Sequence, residues 1–182
     1  MTGKRQKTAP PPLDSTKLEQ LALHYAARYA TTRARLKDYL RRKLRERGWT
    51  GDEPPPIEAL VSRLADLRYV DDSAFAAARG ASLGRRGYGQ RRIDQSLTAA
   101  GVAGDDRAAA ILSATEAWEA ADRLARKRRW GPYADRPADP AERQRRIATF
   151  VRAGHSFATA AIWVDATADE HPERPDDADD SG

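Results

Sequence analysis

Residues 91–101 read RRIDQSLTAAG, and this stretch decides the fold. Ile93 and Leu97 stand four apart and share one face of a helix, and Gly101, four residues further on, stops it. The pattern recurs on both sides. Residues 41–48 read RRKLRERG and residues 145–154 read RRIATFVRAG. Gly48, Gly101 and Gly154 follow one another at intervals of 53 residues, and Leu44, Leu97 and Phe150 each lie four positions before a glycine. Paired bases stand upstream every time: Arg41–Arg42–Lys43, Arg91–Arg92 and Arg145–Arg146. Such a period points to tandem helical modules, each stopped by a residue that tolerates a positive φ, stacked so that neighbours share a core. The alternative is that three ordinary helix stops fall at equal spacing by coincidence.

Outward from the glycines, the rest of the chain reads as helix and turn. A first helix starts near Asp14–Ser15–Thr16, where Thr16 and Glu19 fit a capping box, and carries Leu18, Leu21, Ala22, Tyr25 and Tyr29. A second starts near Thr31–Thr32, with Leu36, Leu40 and Leu44 at intervals of four. GDEPPP (51–56) is a linker before a helix whose apolar stripe is Ile57, Leu60, Val61, Leu64 and Leu67. Asp71 or Asp72 caps a helix with Phe75, Ala76 and Leu83, and GRRGYG (84–89) is a turn. Asp105 or Asp106 opens one or two helices carrying Ile111, Leu112, Trp118, Ala121 and Leu124. Asp139, with Pro140 and Glu142, opens the next helix, and Ser156 caps a last short one.

Composition agrees. Ala supplies 35 of 182 residues and Leu 14, and both suit helices better than strands. The expected class is all-α. With no Cys, the chain has no disulfide framework, thiolate nucleophile or Cys-bearing zinc site. No run of about 18 apolar residues exists to cross a membrane. The N-terminus MTGKRQKTAPPP has no apolar core of a secretory signal, and a cytoplasmic protein is expected.

The net charge of +5 is segregated. Residues 1–13 read as a disordered basic tail and 165–182 as a disordered acidic one, flanking a helical domain over 14–164 with modules near 14–84, 85–130 and 138–164. The domain is rich in Arg, which outnumbers Lys 26 to 6 in the chain and suits phosphates and carboxylates. Candidate partner or DNA contacts are Arg41, Arg42, Lys43, Arg85, Arg86, Arg91, Arg92, Arg126, Lys127, Arg128, Arg145 and Arg146. The plain alternative is a set of solvated faces.

Little points to catalysis. Asp71 and Asp72 precede a helix, where carboxylates cap free amides, and they position Phe75 in the core. His24, His155 and His171 are scattered without zinc spacing. GRRGYG has no strand before it, as a dinucleotide loop requires. Trp130, beside Arg128–Arg129, packs between modules or stacks on a base.

Three segments together resemble the RecX family: residues 21–49, 57–79 and 87–102. The nearest matches are Val70–Asp71–Asp72–Ser73–Ala74–Phe75–Ala76, and Gly89, Ile93, Leu97 and Gly101 at four-residue steps. A third is Arg152–Ala153–Gly154–His155–Ser156–Phe157, in which His replaces the family's aromatic residue after glycine. The resemblance implies an elongated, curved array of three-helix repeats with no enzymatic activity and no cofactor. It also implies a partner, the RecA filament with its single- or double-stranded DNA, whose ATPase, recombinase and coprotease activities the protein would inhibit. That would make the chain, expected as a monomer, a regulator of recombination, repair and the SOS response. The rival readings are a DNA-binding protein, sequence-independent or of helix-turn-helix type, and a helical adaptor for another protein.

Overall fold

The structure, a computed structural model, describes residues 11–174. Among these residues it is all-α, with two isolated bridges and no strand. The helices are α1 (Ser15–Arg28), α2 (Arg33–Arg47), α3 (Ile57–Asp66), α4 (Asp72–Arg85), α5 (Gln90–Thr98), α6 (Ala114–Arg128), α7 (Pro140–Arg152) and α8 (Phe157–Asp165). Two short 3-10 turns cover Asp105–Ala110 and Gly131–Tyr133.

Local chemistry sets most boundaries. Thr32, Ser113, Asp139 and Ser156 each accept a hydrogen bond from an amide three residues on, which satisfies one of the free donors of a first turn. Ser113 with Glu116 and Asp139 with Glu142 complete capping boxes. The box expected at Thr16 and Glu19 does not form. Asp14 caps α1 instead, accepting from the Lys17 amide at 2.8 Å, and Glu19 pairs with Arg63. Gly48, Gly101 and Gly154 have φ of 81°, 70° and 100°.

The chain divides into two compact units. One runs to Phe75 and takes in Ala100–Val102; the other comprises Ala76–Ala99 and the chain from Ala103. In the first unit Leu13, Leu18, Leu36, Leu40, Val61, Leu64 and Val70 form a buried core under α1, α2 and α3. Leu13 was expected in the basic tail, yet it is fully buried. Its amide donates to Gly48 O at 3.0 Å and its carbonyl accepts from the Thr50 amide at 2.9 Å, so the fold begins before α1. Residues 1–10 of that tail lie outside the described residues.

In the second unit the core is Leu124, Ile147, Phe150, Trp163 and Val164 with the alanines between them, covered by Tyr88, Trp118, Trp130 and Tyr133. The acidic tail expected from residue 165 is described as far as Arg174. Asp165 ends α8, and His171 sets its ring edge-on against Trp163 while its Nε2 lies 3.0 Å from the Tyr133 hydroxyl. Residues 175–182 lie outside the described residues. Leu67, expected in the apolar stripe of α3, and Ile111, expected on a helix, both point to solvent. Leu67 falls just past the end of α3 and is 61% exposed, and Ile111 falls between a 3-10 turn and α6 and is 67% exposed.

Candidate functional site

The two aspartates of the Val70–Ala76 segment do different things. Asp71 caps α4, its own helix, by accepting from the Ala74 amide at 2.8 Å. Asp72 is buried and turns to another helix: its Oδ1 accepts from the Arg33 amide at 2.8 Å and its Oδ2 lies 3.3 Å from Arg33 Nε. A carboxylate on the free amides at the start of α2 is favoured by the helix dipole. Phe75 is only half-buried, with the Arg35 guanidinium 5.3 Å from its ring centre; it does not join the core expected of it.

The stop glycines sit at close backbone approaches. Gly101 lies against Ala34 in the first turn of α2, while the N-cap hydroxyl of Thr32 donates to Ala100 O at 2.6 Å. In the second unit Gly154 lies against Arg92 in the first turn of α5. There the amides of Gly89 and Arg91 donate to Ala153 O and Gly154 O at 2.9 and 3.2 Å. His155 is buried, packs on Phe150 and donates from Nε2 to Gly87 O at 3.0 Å. Burial pushes its pKa down, because the apolar surroundings disfavour the imidazolium.

The candidate basic residues fall into two classes. Some are held by neighbours. Arg41 pairs with Glu58 and Asp38, Arg42 and Lys43 with Glu46, and Arg126 with Asp122 and the Tyr133 hydroxyl. Arg92 reaches Gln95 at 3.4 Å, and Arg86 lies over the Tyr88 ring. Arg128 from α6 and Arg146 from α7 converge on Trp130, each 5.7 Å from its ring centre, and Arg146 also reaches Glu142. The others are open. Arg85, Arg91, Lys127 and Arg145 are exposed, and the first three make no ion pair among the described residues. Arg145 is near enough to help hold the Asp139 carboxyl below its usual pKa, an effect led by the hydrogen bond from the Glu142 amide.

Sequence reasoning missed a cluster in the first unit. Tyr25 of α1 stacks on Tyr39 of α2, with ring centres 4.1 Å apart at 18°. Tyr29 leans on Tyr25 at 5.2 Å and is half exposed. A cleft of ≈ 330 Å³ beside them is lined by Tyr25, Arg35, Asp38, Tyr39, Arg42 and Arg45. The signal was present in the sequence as Tyr25–Tyr29 and Arg35–Tyr39, pairs four residues apart that face one way on a helix. What the sequence does not show is that the two stripes meet.

Among the described residues no three His, Cys, Asp or Glu side chains gather as a metal site requires, and no helix is long and apolar enough to cross a membrane.

Comparison with known proteins places this architecture. No family model matches the chain. A regulatory protein RecX from Myxococcus xanthus is 35% identical over 166 residues, spanning 86% of this chain and 89% of the relative. A protein of the same name from Agrobacterium fabrum is 31% identical over 153 residues, 82% of each chain. The crystal structure of RecX from Lactobacillus salivarius shares the fold, with a TM-score of 0.61 at 18% identity, covering 80% of this chain and 90% of that one. Identity of this extent, carried through both units and joined to a shared helical fold, assigns the chain to the RecX family of regulatory proteins.

Proposed function

We propose that this protein binds the filament a RecA-type recombinase forms on DNA and inhibits it, lowering its ATPase, strand-exchange and coprotease activities. The reading rests on one observation, the match to a protein named as a regulator across 89% of that relative's length. Physical features support it. Both units carry exposed basic side chains that have no carboxylate partner among the described residues, and both carry aromatic rings beside them. A repeating partner met by several such surfaces at once is bound by avidity, without a deep pocket. The chain acts here as a cytoplasmic monomer, by occupancy and not by chemistry.

The test is the DNA-dependent ATPase of the recombinase from the same organism, with this protein titrated in. Inhibition well below one molecule per recombinase protomer is expected. No effect at equimolar protein, with helical content verified by circular dichroism, would overturn the reading.

A further inference from the structure

We infer that the Tyr25–Tyr29–Tyr39 cluster of the first unit is a binding site for single-stranded nucleic acid, with bases stacked on the tyrosine rings and phosphates on the arginines around the cleft. Charge pairing along α2 carries the argument. Arg33 is held by Asp72, Lys37 by Glu58, Arg41 by Glu58 and Asp38, Arg42 and Lys43 by Glu46, and Arg47 by Pro11 O. Of the bases of α2, Arg35 and Arg45 alone make neither an ion pair nor a side-chain hydrogen bond among the described residues, and both line the cleft. Arg28, over the exposed Tyr29 ring at 5.7 Å, makes none either. The bases of α2 left without a polar partner among the described residues are therefore those that line the cleft beside the rings.

The rings themselves suit a stacking platform. Tyr25 and Tyr39 pack against the core and against each other, so they are held rigidly. Tyr29, just past the end of α1, is 50% exposed and outside the buried core. Rings and guanidinium planes both stack on unpaired bases, and a groove of positive charge tracks the backbone. Duplex bases are already stacked on both faces, which favours a single strand. An acidic peptide would use the arginines but leave the exposed ring without a role.

The site is tested without any recombinase, so its failure and that of the inhibitor reading are separable. Fluorescence anisotropy of labelled oligothymidylate would be measured with the full chain, Tyr29→Ala, Tyr29→Phe, and a triple Arg28→Ala, Arg35→Ala, Arg45→Ala variant. Loss of the ring should weaken binding roughly tenfold, while Tyr29→Phe binds as the parent does. The triple variant should flatten the plot of log affinity against log salt by roughly 2. All four side chains are exposed, and circular dichroism verifies folding. Three results would overturn the proposal: no binding by the parent chain, parental affinity in both Tyr29→Ala and the triple variant, or displacement of the strand by equimolar oligoglutamate.

Discussion

The first turn of α2 and the first turn of α5 each meet the carbonyl that precedes a stop glycine, and they do so by different means. At α2 side chains make the junction: the Thr32 hydroxyl donates to Ala100 O, and the Asp72 carboxylate takes the Arg33 amide. At α5 the main chain makes it. Gly89 has no side chain, its amide donates to Ala153 O, and the Arg91 amide donates to Gly154 O. Two chain segments can approach closely either by placing polar side chains between them or by removing side chains altogether. The first solution leaves room for adjustment. The second leaves none, because a Cβ built on Gly89 would lie 2.5 Å from the Gly154 carbonyl carbon.

The α5 junction should therefore be the more brittle. In Gly154→Ala the new methyl would overlap the Arg92 backbone nitrogen at a φ of 100°. Positive φ and overpacking together should destabilise by about 2–5 kcal/mol. Urea unfolding followed by the fluorescence of Trp118, Trp130 and Trp163, which cluster in that unit, measures it. Gly101→Ala should cost less, and it should be partly rescued. Its methyl would overlap the Cβ of Ala34 and meet the Ala34 Cα at an ordinary 3.8 Å, so Ala34→Gly in the same chain relieves the overlap and leaves the strain of φ. A double-mutant cycle reads the coupling. Arg92→Gly gives Gly154→Ala no such full rescue, since the main-chain nitrogen remains.

Asp72→Ala comes next. It leaves the first amide of α2 without its acceptor and should cost about 1.5–3 kcal/mol, the value of a hydrogen bond to a charged group. Asp71→Ala removes an ordinary N-cap at about 1 kcal/mol. Urea midpoints of the two variants, compared at equal m, check the order. A reversal would mean that α4, and not α2, limits the stability of that unit.

These aspartates mark what could be read from the sequence. Caps made by a side chain on an amide three residues away are legible, as at Thr32, Asp139 and Ser156. The stop glycines are legible too, because positive φ is a local demand. In the sequence Asp72 reads as one more local cap, yet its partner lies 39 residues back, and no short-range pattern encodes that. Asp14 displaced the expected capping box because a carboxylate that also pairs with Lys17 Nζ outcompetes the Thr16 hydroxyl. The Arg and Lys runs were legible as charge but not as free charge. Whether Arg41 or Arg45 is open depends on where Glu58 falls, and that is set by the packing of α3 on α2. For the same reason the tyrosine cluster, built from two helices, is not legible in the sequence.

The smallest effect concerns His155, which has no counterpart at the α2 junction. Its folded-state pKa lies below the unfolded value because burial disfavours the charged ring. The unfolded chain then binds the proton more readily, so the stability of the second unit is full above about pH 6.5 and falls as the pH drops through the lower, folded-state pKa. Replacing His155 by Phe should abolish that slope, since the ring still packs on Phe150 but no longer titrates. At pH 8 the same variant should be weaker than the parent by about 1 kcal/mol, because Gly87 O loses its donor. The two stability curves should therefore converge as the pH falls. If instead they run parallel from pH 8 to 5, the imidazole does not titrate with folding, and the α5 junction depends on its glycines alone.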